Sequence, residues 1–289
     1  MEHSLTSAIA LVLAVVGHKI GWPFPKGGTQ TLADALAAYF TAIGGKIETS
    51  TLVTSYEQLN FAKIKIFDLT PRQLLRLKNL EFPHLYKKQL EKYRYGPGIF
   101  KIDYALKAPI QFTASECNRA GTIHVGGTIE EIAKSERDVW LGKIPEKPFV
   151  LLSQPTVFDK TRAPENRHTC WAYCHAPAGS QMDMTALLEQ QLERFAPGFQ
   201  TLVLDKHVMT AKDMEEYNAN YIGGDITGGV INFTQLFTRP AIRLSPYTTP
   251  LADVYICSSS TPPGAGVHGM CGYHAAQRVY KDHFNRRKK

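Results

Sequence analysis

We expect no G-x-G-x-x-G turn to follow a strand anywhere in the 289-residue chain. That turn holds the pyrophosphate of a dinucleotide in a βαβ fold. Its absence argues against a complete dinucleotide-binding domain within this sequence.

Long hydrophobic runs are also lacking. The apolar run at residues 8–16 is much shorter than the roughly 20 residues of a membrane-spanning helix. The residues Met1, Glu2 and His3 precede it, so it lacks the basic region that begins a signal peptide. We therefore expect no transmembrane segment, a buried helix at this position, and a cytoplasmic protein, or a mitochondrial matrix protein in a eukaryote.

Cysteine is scarce, and its five positions have no paired spacing. An odd count in a chain of this length is typical of reduced thiols inside a cell. Cys170 and Cys174 would share one face of a strand, beside His168 and His175. These four residues could bind zinc, but a second ligand pair at the spacing of a zinc finger is missing. We expect no metal and two buried, apolar thiols.

Clustered positive charge is limited to the tail at residues 285–289, although the net charge is +7. The remaining Lys and Arg residues are scattered, so no nucleic-acid interface is predicted. The tail itself is expected to be a solvated basic segment, with at most a weak attraction to anionic partners.

The mixture of helical and alternating segments has no regular βαβ repeat, which predicts an α+β fold with a mixed, largely antiparallel sheet. Predicted strands are residues 46–53, 62–67, 99–106, 122–125, 149–153, 168–174 and 254–257. Thr31 is predicted to cap a helix that ends at Gly44 and Gly45, and a helix is predicted from Pro71 to residue 80. Thr128 and Glu131 are spaced as a capping box.

The segment 258–276, with the sequence SSSTPPGAGVHGMCGYHAA, is the main candidate site. It follows the strand 254–257 and leads into a helix predicted to begin at residues 267–269 and to end near Phe284. Gly264 and Gly266 allow close approach of the backbone to a ligand, and the helix start presents free N–H groups. A flavin, a phosphate or a carboxylate would suit these groups. The alternative is a tight turn with no ligand.

Other polar residues have simpler interpretations. His268 could contact a ligand or cap the helix start, and Lys101 and Asp103 could act in a substrate domain or form a same-face ion pair. Asp225, among glycines, is expected to accept hydrogen bonds from its own turn. No side chain is an obvious general base, so no catalytic residue is assigned.

These motifs resemble a known family. The segment 258–276 resembles the flavin-facing motif of phytoene-dehydrogenase-like FAD oxidoreductases, in the branch that contains the pyridine nucleotide-disulfide oxidoreductase domain-containing proteins. The similarity extends to GWPFPKGGTQTLADALAAYFTAIGGKIETSTLV at 21–53, NYIGGDITGG at 220–229 and RPAIRLSPYTTPLADVYICSSSTPPG at 239–264. It covers nearly the whole chain.

The resemblance implies FAD as cofactor and a set of cofactor-binding residues. Val53 would lie on the adenine side, and the flavin would be contacted from the closing loop by Gly264, Gly266, Val267, His268, Gly269 and Met270. The chain resembles only the C-terminal portion of such enzymes. Residues 1–25 would be a cap helix and hinge, 26–70 and 245–289 returning parts of the FAD-binding domain, and 71–244 the substrate domain.

The implied function is flavin-mediated hydride transfer at a C–H or C=C bond of a small or apolar substrate. Because the dinucleotide turn is missing, we expect the chain to need a partner chain that carries this fold, or to self-associate. The alternative is a non-catalytic interaction or regulatory protein that keeps the cap fold without FAD.

Overall fold

The computed structural model describes residues 6–285, so most of the predicted basic tail lies outside the described residues. Within this range the chain forms two compact units. The first, called the sheet unit, comprises residues 6–51 and Ile99–Ala211. The second, called the cavity unit, comprises Leu52–Gly98 and residues 212–285.

A five-stranded sheet organises the sheet unit. Its order is β3 (Ile123–Val125), β4 (Val150–Ser153), β5 (His168–Ala176), β2 (Gly98–Leu106) and β6 (Val203–Met209). The β3–β4, β4–β5 and β2–β6 pairs are antiparallel. The α+β expectation with a largely antiparallel sheet is confirmed.

Alternation along β5 builds the core of the sheet unit. Cys170, Ala172 and Cys174 point to the buried face, and their register partners on β4 include the fully buried Val150 and Leu152. The expected burial of both thiols is confirmed. The helices of this unit are α1 (Thr6–Lys19), α2 (Gln30–Ala42), α5 (Ile129–Trp140), α6 (Pro155–Phe158) and α7 (Thr185–Glu193).

Helix α1 is not buried as expected. Leu11, Val12, Leu13 and Val15 are each more than half exposed, at 66%, 61%, 51% and 58%. No described element covers this apolar surface. The cap predicted for α2 is also wrong: Thr29 occupies the N-cap without a side-chain bond, and the Thr31 hydroxyl donates to the Gly28 carbonyl.

The start of α5 agrees with the sequence in part. The Thr128 side chain accepts a hydrogen bond from the Glu131 amide, as a cap should. The Glu131 carboxylate does not return to Thr128, because it binds Lys147 and Arg194 instead. The cap is therefore present and the reciprocal half of the capping box is not.

The cavity unit contains two short parallel strands, β1 (Lys65–Phe67) and β7 (Val254–Ile256). Its helices are α3 (Pro71–Leu74), α4 (His84–Glu91), α8 (Ala211–Tyr217, which begins at the boundary), α9 (Phe233–Thr238) and α10 (Met270–Val279). A π-helical turn, Tyr280–Phe284, continues α10, so the predicted end of the last helix is confirmed.

Two predicted elements beside β1 are wrong, for a shared reason. Residues 46–53 form no strand, and the helix from Pro71 ends at Leu74. The Lys78 amide donates to the Thr54 carbonyl, and the Lys78 carbonyl accepts from the Tyr56 amide. This long-range bridge takes the backbone groups that a longer helix would have used, and it lies one residue beyond the predicted strand.

Candidate functional site

A cavity of about 400 Å³ opens at the carboxyl ends of β1 and β7 in the cavity unit. Asp68 directly follows β1, and Cys257 follows β7. The Cys257 amide donates to the Phe67 carbonyl at 2.9 Å, which keeps the two strand ends together. In open parallel sheets, ligands bind in the crevice at this end of the strands. The cavity is thus in the position that favours a ligand site.

The glycine-rich loop and the start of α10 form one wall. Gly264, Gly266 and Gly269 line the cavity, and each has a positive φ, at 103°, 150° and 63°. Gly269 is the N-cap of α10, and Cys271 and Gly272 of the first turn also line the cavity. First-turn N–H groups have no intrahelical acceptor. This wall can therefore donate backbone hydrogen bonds to an anionic or carbonyl-bearing ligand.

His268 has the simpler of its two expected roles. Its Nδ1 accepts a hydrogen bond from the Met270 amide at 3.0 Å, so the imidazole caps the helix start. His268 also lines the cavity, which leaves ligand contact open to it.

The opposite wall is polar and was not predicted. Asn218, Asn220 and Tyr221 line it together with Thr70. The Asn220 side chain accepts from the Thr70 amide at 2.9 Å and donates to the Asp68 carbonyl at 3.3 Å. It therefore substitutes for the backbone pairing that ends with β1.

Thr70 carries an unused hydrogen-bonding group at this wall. Its Oγ1 is buried and makes no hydrogen bond of acceptable geometry in the described chain, although the neighbouring Tyr95 hydroxyl is close enough for Thr70 to affect its pKa. A buried polar atom without a partner is costly.

Asp68 and Cys257 in the cavity are shifted toward their neutral forms. Partial burial raises the pKa of Asp68, which lies at the open rim. Burial, followed by the nearby Asp68 and Cys271, raises the pKa of Cys257 to about 12. Cys257 is therefore a neutral thiol at physiological pH, which does not suit a nucleophile.

The predicted site residues fall into two groups. Gly264, Gly266, His268 and Gly269 line the cavity. Val267, which is 89% exposed, and Met270 are outside its lining. Val53 packs against the apolar core of the cavity unit, also outside the lining. Cofactor binding by these seven residues stays a prediction.

The loop before α10 does contain the letters G-x-G-x-x-G, at Gly264–Gly269, so the expectation that no such sequence follows a strand is wrong. They do not directly follow β7, because seven residues separate Ile256 from Gly264 (positions 257–263). No described strand follows α10. The βαβ context that gives the motif its usual meaning is therefore not present here.

Ten lining residues were not among the predicted site residues, although four of them, Ser258, Ser259, Cys271 and Gly272, lie within the candidate segment 258–276. Ser258, Ser259 and Asp68 had a usable signal, because polar residues directly after a buried strand often reach a ligand. The amide side chains at 218 and 220 had none, since only the tertiary fold brings them to β1. The complete set of missed residues is Asp68, Thr70, Asn218, Asn220, Tyr221, Cys257, Ser258, Ser259, Cys271 and Gly272.

The remaining candidates have structural partners. Lys101 and Asp103 form the expected same-face ion pair. The Asp225 carboxylate accepts from the amides of Thr227 and Gly229 in its own turn, as expected, and also from Gly96. Burial raises the pKa of the Cys170 and Cys174 thiols. Within residues 6–285, no group of three His, Cys, Asp or Glu side chains is placed to hold a metal ion.

Two curated relatives match nearly the whole chain. It is 24% identical, over 97% of its length, to pyridine nucleotide-disulfide oxidoreductase domain-containing protein 2 of Rattus norvegicus, and covers 55% of that protein. It is 22% identical, over 92% of its length, to the lycopene-forming phytoene desaturase of Pseudescherichia vulneris, and covers 57% of it. The chain thus spans little more than half the length of these relatives.

A solved structure supports the fold. An oxidoreductase from Methanosarcina mazei superposes with a TM-score of 0.61 at 15% sequence identity, over 94% of this chain and 58% of that one. No protein-family model matches the chain. In the described residues, no helix combines the length and apolar character needed to cross a membrane. The similarity to phytoene-dehydrogenase-like oxidoreductases is confirmed, and the coverage is consistent with a C-terminal portion.

Proposed function

We propose that this chain is the flavin-facing and substrate-binding part of an FAD-dependent oxidoreductase. It would act at a C–H or C=C bond of a small or apolar substrate. The cavity at the carboxyl ends of β1 and β7 carries the proposal, because a glycine loop and the start of α10 meet there. The names of the relatives support an oxidoreductase role in general.

The cavity fits the flat, polar-edged ring of a flavin. Its volume of about 400 Å³ lies within the usual range for ligand sites. The backbone N–H groups of Cys271 and Gly272, in the first turn of α10, would meet the polar edge of the ring. Gly264 and Gly266 would let the backbone approach its face. When bound, the flavin supplies hydride transfer.

The chain's own residues would orient the ring and control protons. The His268–Met270 hydrogen bond holds the helix start in place. Asp68, whose pKa is raised by partial burial, keeps a proton at the rim to a higher pH than a carboxyl group in water. Val53 would serve the adenine side, within the returning segment 26–70.

The ADP part of the cofactor requires a second component. Positions equivalent to about 45% of the rat relative (100 minus 55) have no counterpart in this chain. Exposed apolar side chains occur on α1, and also at Leu36 and Tyr39 of α2 and at Ile43 just after it, where contact with water is unfavourable. A partner chain with a dinucleotide-binding fold would cover these side chains and supply the missing pyrophosphate contacts.

The decisive experiment is reconstitution. The chain is co-purified with the part of the rat relative that it does not match, and the visible flavin absorbance is recorded. Two substitutions sharpen the result, since a Cβ at Gly272 or at Gly121 meets nothing within 4 Å. Gly272→Leu fills the cavity, whereas Gly121→Leu lies in a sheet-unit loop outside it.

Stoichiometric flavin in the wild-type complex and in G121L, with loss of the band in G272L, is the expected result. Equal binding by G272L would show that this cavity is not the flavin site. A colourless wild-type complex would instead favour a non-catalytic interaction protein. Light scattering on the chain alone is expected to show self-association, and a monodisperse monomer at high concentration would contradict the exposed-surface argument.

A further inference from the structure

Arg239 is a buried cation beside the Ser258–Gly264 segment, here called the cavity loop. The proposed function does not use this residue. Its side chain is only 2% exposed. Within the part of the chain that the structure describes, no carboxylate pairs with it, and its acceptors are two backbone carbonyls. A buried charge without a counter-ion destabilises a fold. Its presence therefore calls for an explanation beyond packing.

The two carbonyls belong to consecutive residues of the cavity loop. Arg239 Nη2 donates to the Ser259 carbonyl at 2.8 Å, and Nε donates to the Ser260 carbonyl at 3.3 Å. Ser259 lines the cavity. A carbonyl that points toward the guanidinium points away from the ligand, so the planar fork fixes the orientation of successive peptide groups.

The guanidinium also approaches the glycine part of the loop. A Cβ on Gly264 would lie 3.6 Å from Arg239 Nη1. The loop between these contacts closes on itself, since the Gly264 amide donates to the Thr261 carbonyl and the Thr261 amide to the Ser258 carbonyl. Arg239 thus binds the first half of a tight turn in the cavity wall, and its guanidinium lies beside the glycine that ends the turn.

The Gly228 carbonyl holds Ser260, one of the two residues that Arg239 binds. The Gly228 carbonyl accepts from the Tyr93 hydroxyl at 2.9 Å and from Ser260 Oγ at 2.7 Å. Burial raises the pKa of Tyr93 to about 12, and the Arg239 charge opposes that rise. The cation therefore acts electrostatically on its surroundings and does more than fill space.

We infer that Arg239 is the positioning residue of the ligand cavity, and that it holds the Ser258–Gly264 loop in its binding shape through hydrogen bonds to the Ser259 and Ser260 carbonyls. The inference deepens the proposed function, but the ordering of the loop is a property of the chain without any ligand. It can be tested separately for that reason.

The test is hydrogen exchange of the loop in Arg239→Met and Arg239→Lys. Methionine keeps apolar volume and removes the donors and the charge, whereas lysine keeps the charge and one possible hydrogen bond. Removing a buried cation that has no counter-ion relieves its desolvation cost, which offsets the loss of the two hydrogen bonds to carbonyls. We expect R239M to melt near the wild type, while the Thr261 and Gly264 amides exchange at least about tenfold faster.

R239K is expected to fall between R239M and the wild type, because it restores part of the interaction. The matched control is Arg243→Met, since Arg243 Nη2 also donates to a backbone carbonyl, that of Thr249, away from the loop. This control should leave loop exchange unchanged. Amides of β4 report on overall unfolding in every variant.

Unchanged loop exchange in R239M would overturn the inference. Slower exchange in R239M than in R239K would also overturn it, because that order is expected if Arg239 only packs against the loop. If R239M does not fold, R239K decides, because exchange equal to the wild type would exclude the two-carbonyl role.

In the reconstituted complex, R239M should lose at least about tenfold in flavin affinity. If the wild type binds no flavin, the proposed function fails while the exchange result still stands or falls alone.

Discussion

The sheet unit and the cavity unit are stabilised in different ways. In the sheet unit, backbone groups pair with one another across five strands, and twenty buried residues form one core within the described chain. In the cavity unit, two strands of three residues each are paired, and the corresponding core has ten residues. There, side chains satisfy much of the irregular backbone.

Asp225, Asn220 and Arg239 show how this second strategy works. Each binds backbone groups of a loop that no strand pairs. A loop held in this way can present N–H groups to a ligand, whereas the groups of a complete sheet are already used. The candidate site therefore lies where regular backbone pairing between strands ends.

The largest effect should come from the core of the sheet unit. Leu152 on β4 is fully buried, and Leu152→Ala should reduce the free energy of unfolding by about 2–5 kcal/mol, since the cavity left behind cannot refill completely. Urea denaturation measures it. Leu204→Ala on β6, where the side chain is 51% exposed, should change it by less than about 0.5 kcal/mol. Similar losses in both variants would break the claim that core packing stabilises this unit.

The next effect tests the cavity unit. Asp225→Ala leaves the amides of Gly96, Thr227 and Gly229 without their acceptor, so a loss of about 3 kcal/mol is expected. Thermal and urea unfolding would report it. Asp34→Ala is the control, because within residues 6–285 Asp34 accepts a single, exposed hydrogen bond, from the Gln30 side chain. A cost for D225A no greater than for D34A would contradict a loop structure held by side chains.

Backbone conformation gives a smaller, paired effect. Gly269 has φ of 63° at the start of α10, and Gly269→Ala should cost about 1–2 kcal/mol because alanine is strained there. Gly272 lies within the helix with nothing near its Cβ position, so Gly272→Ala should stabilise by up to about 1 kcal/mol. Differential scanning calorimetry of both variants checks the order. If Gly269→Ala were instead the more stable variant, Gly269 would not be the left-handed N-cap of α10.

The smallest effect is electrostatic and lies in the sheet unit. Hydrogen bonds from Lys147 and Arg194 lower the pKa of Glu131 from 4.5 to about 2. A lowered folded-state pKa gives stability that is present above pH about 4.5 and lost as pH falls toward 2. Glu131→Gln should flatten this part of the melting-temperature profile slightly, because the partners Lys147 and Arg194 are exposed and solvent screens both ion pairs. An unchanged slope between these pH values would show that the pair contributes nothing measurable.

Sequence reasoning succeeded best where side chains and backbone give the same signal. The alternation in β5 and the cap at Thr128 are local patterns, and both are observed. Strand β6 was not predicted, because most of its residues are exposed, and buried and exposed positions do not alternate along it. The alternation at residues 46–53 misled, because a strand also requires a partner.

The candidate site was only half visible for a related reason. The glycine loop is one continuous segment, so its letters suggest a ligand. The facing wall is built from Asn218 and Asn220, which reach β1 through tertiary contacts alone. No local pattern marks a residue whose partner lies 150 positions away, as Asn220 does from Thr70.

The pairing of β1 with β7 also has a kinetic consequence. Lys65 pairs with Val254, so 189 positions (254 minus 65) separate the two partners. Closing so long a loop is slow, and contacts of high sequence separation form late in folding. On the ribosome, all of the sheet-unit strands emerge before β7 is made. The cavity therefore forms only after β7 has been made, and until then the polar end of β1 lacks its β7 partner.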